Sequence, residues 1–479
     1  MLRQRGVQPL ELGQVIIATW RPHETAALKT IRDLGLDLQI IFNEEAVMLL
    51  PAGVNKATGL SAALAELDLS PRNVVGVGNA ANDHSFLKLC ECAVAVGNAI
   101  SAVREHADFH THNNSGQGII ELINELITSD LSARDSVLGR HHLLLGTREN
   151  GAEVRLRPYG NSLLIAGPSG SGKSSAATAF LERLIEKKYQ FCVIDPEGDY
   201  SNFKEAMVLG NGPAAPTVDE VMRMTKDPDR NIVINLINVP LADRPSYFLT
   251  LLPRLQELRA RTGRPHWIVI DEAHHLLPSS WQPADLVMSQ ELEGLVLITV
   301  HPDHVAPTFL SQMDAVMAVG HAPEGTIRQL CDALREKPPS SRGLTVETGE
   351  VVYWTRASGE EPFWIRLIPS QLERRRHSRK YAEGEVPREG SFYFRGPEGR
   401  LNLRAQNLIL FMQLAEGIDD GTWMYHLRRG DYARWFRQVI KDKVLAAKTS
   451  DVESIDGLSA RDSRTMISEA IQEHYTLPV

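Results

Sequence analysis

The sequence is poor in cysteine. Its 479 residues include four cysteines, Cys90, Cys92, Cys192 and Cys331, and no two of them form a Cys-x-x-Cys pair. A disulfide framework or a zinc ribbon would need more cysteines or histidines at close spacing. We therefore expect small buried thiols in a reduced protein. Cys90 and Cys92 leave a metal site open as the alternative, but no partner ligands accompany them.

Long apolar runs are also missing. No stretch of about 18 apolar residues occurs, and the first residues do not form the hydrophobic segment of a signal peptide. We therefore expect a cytoplasmic protein with no membrane partner. An excess of basic residues is lacking too, because the net charge is -9. Such a charge disfavours non-specific coating of nucleic acid, although a local basic channel stays compatible with it.

The sequence does contain a regular alternation of short apolar runs and helical patterns, which predicts an α/β fold with parallel sheets. One set of apolar runs lies near the start of the chain, at 15–19, 74–78 and 93–96. A second set of five follows, at 162–166, 191–194, 232–236, 267–270 and 295–298. We expect two parallel-sheet domains, at residues 1–130 and 131–372. A linker at 373–390 and a small, mostly helical domain at 391–479 should follow.

A phosphate-binding loop is predicted directly after the apolar run 162–166. The pattern GxxxxGK[ST] is matched by Gly167, Pro168, Ser169, Gly170, Ser171, Gly172, Lys173 and Ser174, and a helical run starts at Ser175. Glycines let backbone N–H groups surround a phosphate, and the helix N-terminus adds positive potential. Lys173 would reach the β- and γ-phosphates, and Ser174 would ligate Mg²⁺. A plain glycine- and serine-rich turn is the alternative.

A pair of carboxylates supports this interpretation independently. The apolar run 267–270 ends in Asp271 and Glu272. Asp271 would hold Mg²⁺ through water, and Glu272 would act as the general base that polarises the attacking water. Since a protein that only binds nucleotide does not need the second carboxylate, the pair favours hydrolysis of ATP. An acidic helix N-cap is the simpler alternative.

Together these motifs resemble the HerA/FtsK/VirB4 group of P-loop ATPases over residues 143–366. The resemblance includes an Asp-Pro-x-Gly-acidic-aromatic segment at Asp195–Tyr200 and the sequence Asp271-Glu-Ala-His-His275. It implies a RecA-like fold, ATP and Mg²⁺ as ligands, and a homo-oligomer, with a ring and DNA as possible but unproven features. Where that group carries a polar γ-phosphate sensor, often Thr-Gln, this chain has Thr299 and His301, and either could serve.

The resemblance also implies an arginine supplied by a neighbouring subunit. Arg328 and Arg335 lie on a predicted helical stretch and are candidates. Exposed arginines on a helix are more often solvated surface residues, so both interpretations stay open.

The first 125 residues resemble the C-terminal part of Cof-type haloacid dehalogenase-like (HAD) phosphatases. The matching positions are the phosphate-binding Thr19, the phosphate-neutralising Lys56, and Asn79, Asn82 and Asp83 in the place of Gly-Asp-x-x-Asn-Asp. This implies a partial HAD-like, Rossmann-type domain. These enzymes attack phosphate with an aspartate upstream of the threonine strand. None of the eighteen residues before Thr19 is Asp, and Asn79 replaces a metal-site carboxylate. We therefore expect this chain to have no phosphatase activity. Either the domain is a degenerate regulatory one, or the gene start has been placed too late and the nucleophile motif is missing for that reason.

The C-terminal segment resembles a small uncharacterised domain with a strand and an aromatic-rich helix. His426 and Asp431 could recognise a ligand, but a packing motif in which Tyr432 and Trp435 fill the core is favoured. The basic run Arg374–Lys380 is interpreted as a solvated linker rather than a nucleic-acid contact.

Three functions remain open from the sequence. The leading one is an ATP-driven motor or remodelling ATPase with two accessory domains. The first alternative is a sugar or small-molecule phosphatase that the P-loop domain regulates. The second is a non-motor signalling or defence ATPase.

Overall fold

The computed structural model describes residues 1–201, 203–212, 214–280, 293–340, 346–347, 349–370, 390–399, 401–440 and 442–474. They form two compact units, residues 1–369 and 370–479. The predicted linker, including the basic run Arg374–Lys380, lies outside the described residues up to residue 389. Among the helices that are described, none combines the length and apolar character needed to cross a bilayer.

The first unit begins with a four-stranded antiparallel sheet. Its strands are β1 (Glu11–Leu12), β2 (Ile17–Trp20), β3 (Leu38–Asn43) and β4 (Ala46–Pro51), in the order β1-β2-β4-β3. Helix α1 (Glu24–Leu34) follows β2 and packs Ala27 and Ile31 against Val47 and Leu49. The prediction of a parallel sheet is wrong for this segment. Only two residues join β3 to β4, and a link that short permits an antiparallel pair alone.

A three-stranded parallel sheet follows, as the apolar runs predict. Strands β5 (Val75–Gly78), β6 (Cys92–Ala95) and β7 (Phe109–His110) pair in that order. The helices around them are α2 (Lys56–Glu66), α3 (His84–Leu89), α4 (Ser101–Arg104) and α5 (Ser115–Ser129). A capping box starts α2, since Asn55 accepts the Thr58 N–H while the Thr58 hydroxyl accepts the Asn55 N–H.

The rest of the first unit is built on one large mixed sheet of eleven described strands. They are β8 (Leu143–Thr147), β9 (Glu153–Leu156), β10 (Leu163–Ala166), β11 (Phe191–Asp195), β12 (Met207–Leu209), β13 (Ile232–Asn235), β14 (Trp267–Ile270), β15 (Leu295–Thr299), β16 (Ala315–Val319), β17 (Glu350–Thr355) and β18 (Phe363–Leu367). Their order is β12-β13-β11-β14-β15-β10-β16-β17-β18-β8-β9. Pairing is parallel from β12 to β16 and antiparallel beyond.

All five apolar runs predicted as the core of this sheet are strands, namely β10, β11, β13, β14 and β15. Every residue of these five strands is buried. Helices α6 (Lys173–Lys187), α7 (Val218–Thr225), α8 (Arg244–Thr262), α9 (Pro307–Leu310) and α10 (Pro323–Leu334) connect or flank them. The α/β fold class predicted from the sequence is therefore confirmed. Because both faces of the central strands are covered, these strands read as continuous apolar runs.

Buried polar groups join the three-stranded sheet to the large sheet. The Arg264 side chain is fully buried just before β14, and its Nη2 donates to the Asp68 carbonyl at 2.5 Å and to the Lys226 carbonyl at 2.9 Å. Its Nη1 donates to Gln190 Oε1 at 2.8 Å. His266, also before β14, lies 2.9 Å from Asn73 Oδ1 through its Nε2 atom. In these contacts, Asp68 and Asn73 come from the segment before β5 of the three-stranded sheet. Their partners Arg264 and His266 come from the segment before β14 of the large sheet.

A half-buried carboxylate forms a second part of the same contact. Glu91, directly before β6, accepts the Tyr189 hydroxyl at 2.7 Å and an Arg72 guanidinium N–H at 3.0 Å. Tyr189 lies two residues before β11. The two parallel sheets thus meet through the residues that precede their strands, so the carboxyl ends of both sets of strands point away from the contact.

The second unit is mostly helical, as predicted. Its elements are the hairpin β19 (Phe392–Phe394) and β20 (Leu403–Ala405), then α11 (Leu408–Gly417), α12 (Asp420–Arg428), α13 (Asp431–Trp435), a π-turn at Phe436–Ile440, α14 (Lys443–Glu453) and α15 (Ala460–His474). His426 is 5% exposed, accepts the Arg395 N–H at 3.1 Å and lies 2.9 Å from Asp431 Oδ2. Tyr432 and Trp435 are buried beside it. These contacts favour packing over ligand recognition.

Replacing Arg264 with Leu tests the contact between the two sheets. The change removes the buried donor to the backbone oxygens of Asp68 and Lys226 and to the buried side-chain oxygen of Gln190, so we expect a loss of about 3 kcal/mol in unfolding free energy. Differential scanning calorimetry measures it as a lower melting temperature. Arg261→Leu, at an exposed arginine three residues away, is the control and should change little. Equal melting temperatures for the two variants would contradict this account.

Candidate nucleotide-binding site

The loop between β10 and α6 has a backbone that only glycine fits at its first position. Gly167 has φ +156°, and a Cβ there would lie 2.1 Å from the Val319 carbonyl oxygen at the end of β16. Gly170 and Gly172 also have positive φ, at 73° and 105°. The glycines named in the sequence motif are therefore required by the close approach of the loop to β16 and by the left-handed turn into α6.

Polar groups line this loop. Ser171 Oγ is buried and has no hydrogen-bond partner among the described residues. Lys173 begins α6, is 7% exposed, and donates from Nζ to the Pro168 carbonyl at 3.0 Å. Burial lowers the pKa of Lys173, and the nearby carboxylates of Glu272 and Asp271 oppose that shift. The Ser171 hydroxyl and the buried Lys173 ammonium, both at the N-terminus of a helix, are groups that can bind a phosphate. Ser169 is exposed, and Ser174 and Ser175 lie half-buried in the first turn of α6.

The strand order brings the two predicted acids to the same edge of the sheet. Strands β14, β15 and β10 are parallel neighbours, so their carboxyl ends lie side by side. Asp271, which follows β14, is 5% exposed, and its Oδ1 accepts the Glu272 N–H at 3.0 Å. Glu272 has a left-handed backbone with φ 40°. Such a conformation is uncommon for glutamate and often marks a functional position.

The two sensor candidates occupy different environments. Thr299 ends β15 and is fully buried, and its carbonyl accepts the Gly167 N–H at 3.4 Å. The Thr299 hydroxyl accepts the His301 backbone N–H at 3.1 Å. The His301 side chain is exposed, with its ring centroid 4.7 Å from that of His304. The backbone of Thr299 therefore contacts the loop at Gly167, and the choice between Thr299 and His301 as sensor stays a prediction.

His274 is a neighbour of this site to which sequence reasoning assigned no role. Its Nδ1 lies 3.2 Å from the Thr299 hydroxyl oxygen and 3.5 Å from Glu272 Oε2. Burial lowers the pKa of His274 to about 4, and the nearby rings of His275 and His301 act in the same direction. In the sequence, the only indication that His274 belongs to this site is its position two residues after Glu272.

Two other predicted features have plainer roles. Asp195 is fully buried, and its carboxylate accepts the N–H groups of Asp199 at 3.0 Å and Tyr200 at 2.6 Å, so it closes the turn after β11. Arg328 and Arg335 are exposed, and neither side chain forms an ion pair within the described part of the chain. Both interpretations of these arginines therefore stay open.

The HAD-like positions are only partly brought together. Lys56 forms an ion pair with Asp83, whose Oδ2 also accepts the N–H groups of Asn79 at 2.8 Å and Ala80 at 3.0 Å. Burial alone would raise the pKa of Asp83, but these hydrogen bonds lower it below its usual value. Asn82 Oδ1 is buried without a partner among the described groups.

Thr19 has a different hydrogen-bond partner. It is on β2 of the antiparallel sheet, and its hydroxyl donates to the Pro9 carbonyl at 2.7 Å. Across the described chain, no group of three or more His, Cys, Asp or Glu residues is arranged to hold a metal. The HAD-like residues therefore do not form the carboxylate set that a Mg²⁺ site of that kind needs.

For a triphosphate with Mg²⁺, the P-loop residues do fit. The cradle at Gly167 and the buried ammonium of Lys173 suit phosphate, and the oxygen donors Ser174 and Asp271 suit a hard cation.

Two family models match the chain. One, described as haloacid dehalogenase-like hydrolase, matches residues 39–123. The other, described as the central domain of the helicase HerA, matches residues 144–264. This chain joins a HAD-like domain to a HerA-like domain. Thr19 lies outside the first match, and Asp271, Glu272, Thr299 and His301 lie outside the second. The roles of all the site residues, inside and outside the matches, remain predictions.

Curated relatives match about a fifth of this chain. The stress response protein YhaX of Bacillus subtilis (strain 168) is 32% identical over 101 residues, which are 21% of this chain and 34% of that protein. Phosphoglycolate phosphatase 2 of Saccharolobus solfataricus is 30% identical over 92 residues, 19% of this chain and 39% of that protein. The chain therefore spans between a third and two fifths of the length of these two relatives.

Solved structures resemble the two domains separately and distantly. The genome-packaging NTPase B204 of Sulfolobus turreted icosahedral virus 2, in complex with ATP-gammaS, is 14% identical, with 44% of this chain and 100% of that chain covered and a TM-score of 0.34. The sucrose-phosphatase of Synechocystis sp. PCC6803 is 19% identical, with 26% and 59% covered and a TM-score of 0.21. Because these TM-scores are low, the domain assignment rests on the family models and on the strand order.

Replacing Gly167 with Ala tests the cradle. The added Cβ would collide with the Val319 carbonyl, so the loop must move and its affinity for a nucleoside triphosphate should fall at least about ten-fold, or about 1.4 kcal/mol. Titration with a fluorescent ATP analogue measures this. In the control Gly325→Ala, on α10, the new Cβ meets nothing within 4 Å, and affinity should stay unchanged. Unaltered affinity in Gly167→Ala would refute the cradle.

Proposed function

We propose that this chain binds ATP with Mg²⁺ at the loop between β10 and α6 and hydrolyses it. The observation that carries the proposal is the common edge of β14, β15 and β10. There a glycine loop, a buried lysine, two acids and a buried threonine hydroxyl lie together. This is the set of groups that phosphoryl transfer to water requires, since positioning and charge stabilisation supply most of the catalysis.

Each residue has a defined part in this proposal. Loop N–H groups and Lys173 bind the phosphate oxygens and neutralise their charge. Ser174 and Asp271 would hold Mg²⁺, which when bound neutralises charge on the triphosphate. Glu272 accepts a proton from the attacking water as general base. The Thr299 hydroxyl, held between β10 and β14, senses the terminal phosphate.

We further propose that hydrolysis drives a motor or remodelling activity in a homo-oligomer. The HerA-like family match supports this. The contacts of Asp68, Asn73 and Glu91 with the large sheet lie before its strands, at the opposite end from the loop that follows β10. We propose that nucleotide and a neighbouring subunit bind at the loop end.

The HAD-like domain of this chain is proposed to be inactive as a phosphatase. Among the described residues, no carboxylate other than Asp83 lies within ion-pair distance of Lys56, and Asp83 already accepts two backbone N–H groups. Phosphatase chemistry would need a nucleophile and a further metal ligand, and both would have to come from outside this group of residues. A regulatory or scaffolding role of the HAD-like domain is consistent with the contacts of Lys56 and Asp83.

Glu272→Gln is the sharpest test of hydrolysis. The amide keeps the shape of the side chain but cannot accept the proton from water, so ATP should bind normally while turnover falls at least about a hundred-fold. Steady-state phosphate release and analogue titration, each with and without DNA, separate the two effects. Lys173→Ala should instead weaken binding itself.

The outcomes of this experiment distinguish the candidate functions. Stimulation of turnover by DNA supports a DNA motor, whereas turnover that responds to a protein partner and not to DNA supports the signalling or defence alternative. Wild-type turnover equal to that of Glu272→Gln would reject hydrolysis at this site.

The inactivity of the HAD-like domain is tested with p-nitrophenyl phosphate and Mg²⁺. Because the described residues assemble no nucleophile beside Lys56, we expect no p-nitrophenol release above the buffer rate. Absorbance at the phenolate band measures it, with Asp83→Ala as the comparison. Turnover that Asp83→Ala abolishes would show that this domain is a working phosphatase.

A further inference from the structure

His274 lies between two residues that the proposed hydrolysis uses. Its Nδ1 atom is 3.2 Å from the Thr299 hydroxyl oxygen and 3.5 Å from Glu272 Oε2. The side chains of His274 and Glu272 are 14% and 21% exposed, and Thr299 is fully buried. One imidazole nitrogen therefore faces both the base and the sensor in a site largely shielded from water.

The hydrogen-bonding capacity of these groups defines what His274 can do. Its pKa is lowered to about 4, first by burial, so the ring is neutral near pH 7 and carries one N–H. Glu272, as a carboxylate, can only accept. A proton on Nδ1 can be donated to the Thr299 oxygen at 3.2 Å, and it also turns the positive end of the N–H bond toward the Glu272 carboxylate, 3.5 Å away. A proton on Nε2 would instead leave the Nδ1 lone pair facing that carboxylate.

The Thr299 hydroxyl gains from this arrangement. Its oxygen already accepts the His301 backbone N–H at 3.1 Å. If Nδ1–H of His274 is the second donor, both lone pairs of the oxygen are used. The hydroxyl hydrogen is then left for an acceptor other than His274, such as a phosphate oxygen at the adjacent loop.

We propose that His274 is a positioning residue that links the general base Glu272 to the sensor Thr299. This inference rests on the proposed function. In its Nδ1–H form, His274 holds the Glu272 carboxylate in one orientation and keeps the Thr299 hydroxyl oriented as a donor. It touches neither ATP nor the attacking water, and it acts only through these two side chains.

Two substitutions of His274 separate hydrogen bonding from packing. His274→Phe keeps the ring but removes the donor, and His274→Asn restores an N–H near the place of Nδ1. We expect kcat for ATP to fall about 30-fold in His274→Phe, with KM within about three-fold of wild type, because misplacement of a base slows chemistry more than binding. His274→Asn should recover most of kcat. His304→Ala, at an exposed histidine in the same group of rings, is the control and should leave both constants unchanged.

A double-mutant cycle with Thr299→Val tests the link directly. If His274 acts through Thr299, the double variant should be no slower than the slower single variant. Additive losses would overturn the link, as would a His274→Phe enzyme with wild-type kcat, or one in which only KM changes. If the melting curve shows that His274→Phe does not fold, His274→Asn and His274→Ala are compared instead. A higher kcat in His274→Asn supports the proposal, and equal kcat values overturn it.

The two proposals fail in different ways. If Glu272→Gln abolishes turnover while His274 variants behave as wild type, hydrolysis stands and the role of His274 falls. If the wild-type chain binds the ATP analogue but does not turn over, hydrolysis itself falls.

Discussion

The structure depends on the close approach of the loop at Gly167 to the end of β16. The backbone there passes so near the Val319 carbonyl that no side chain fits, and this contact sets where the loop lies relative to the neighbouring strands. Since β10, β15 and β14 are parallel and adjacent, the acids after β14 and the threonine ending β15 reach the same edge. The geometry of the candidate site follows from strand order and from one glycine.

The contact between the two parallel sheets gives the first unit its second constraint. Arg264 is fully buried and Glu91 is half-buried, and each has hydrogen-bond partners from both sheets. A buried guanidinium or carboxylate is costly to separate from its partners, so the contact is specific. It joins the amino ends of the strands, and the P-loop edge and the Lys56–Asp83 pair therefore lie on sides directed away from it.

Sequence reasoning and structure differ where short links and tertiary neighbours decide. The strands predicted as β10, β11, β13, β14 and β15 are present because long buried runs are distinctive. Strand β2 was expected in a parallel sheet. The two-residue link makes β3 and β4 a hairpin, and the returning strand β4 lies between β2 and β3, so β2 pairs with it in the antiparallel direction. Thr19 was placed with Lys56 and Asp83 by motif order, but its hydroxyl bonds to Pro9. His274 was overlooked, because its partner Thr299 is 25 residues away along the chain.

The sequence by itself determined the α/β class and predicted the candidate phosphate loop and the paired acids, because glycine spacing, acidic pairs and apolar periodicity are local patterns. Tertiary structure alone decided which ends of the two sheets meet, that the Thr299 backbone contacts the loop at Gly167, and that His274 stands between Glu272 and Thr299. Those facts depend on strand order and on contacts between residues far apart in the sequence, and the local spacing of residues does not predict either.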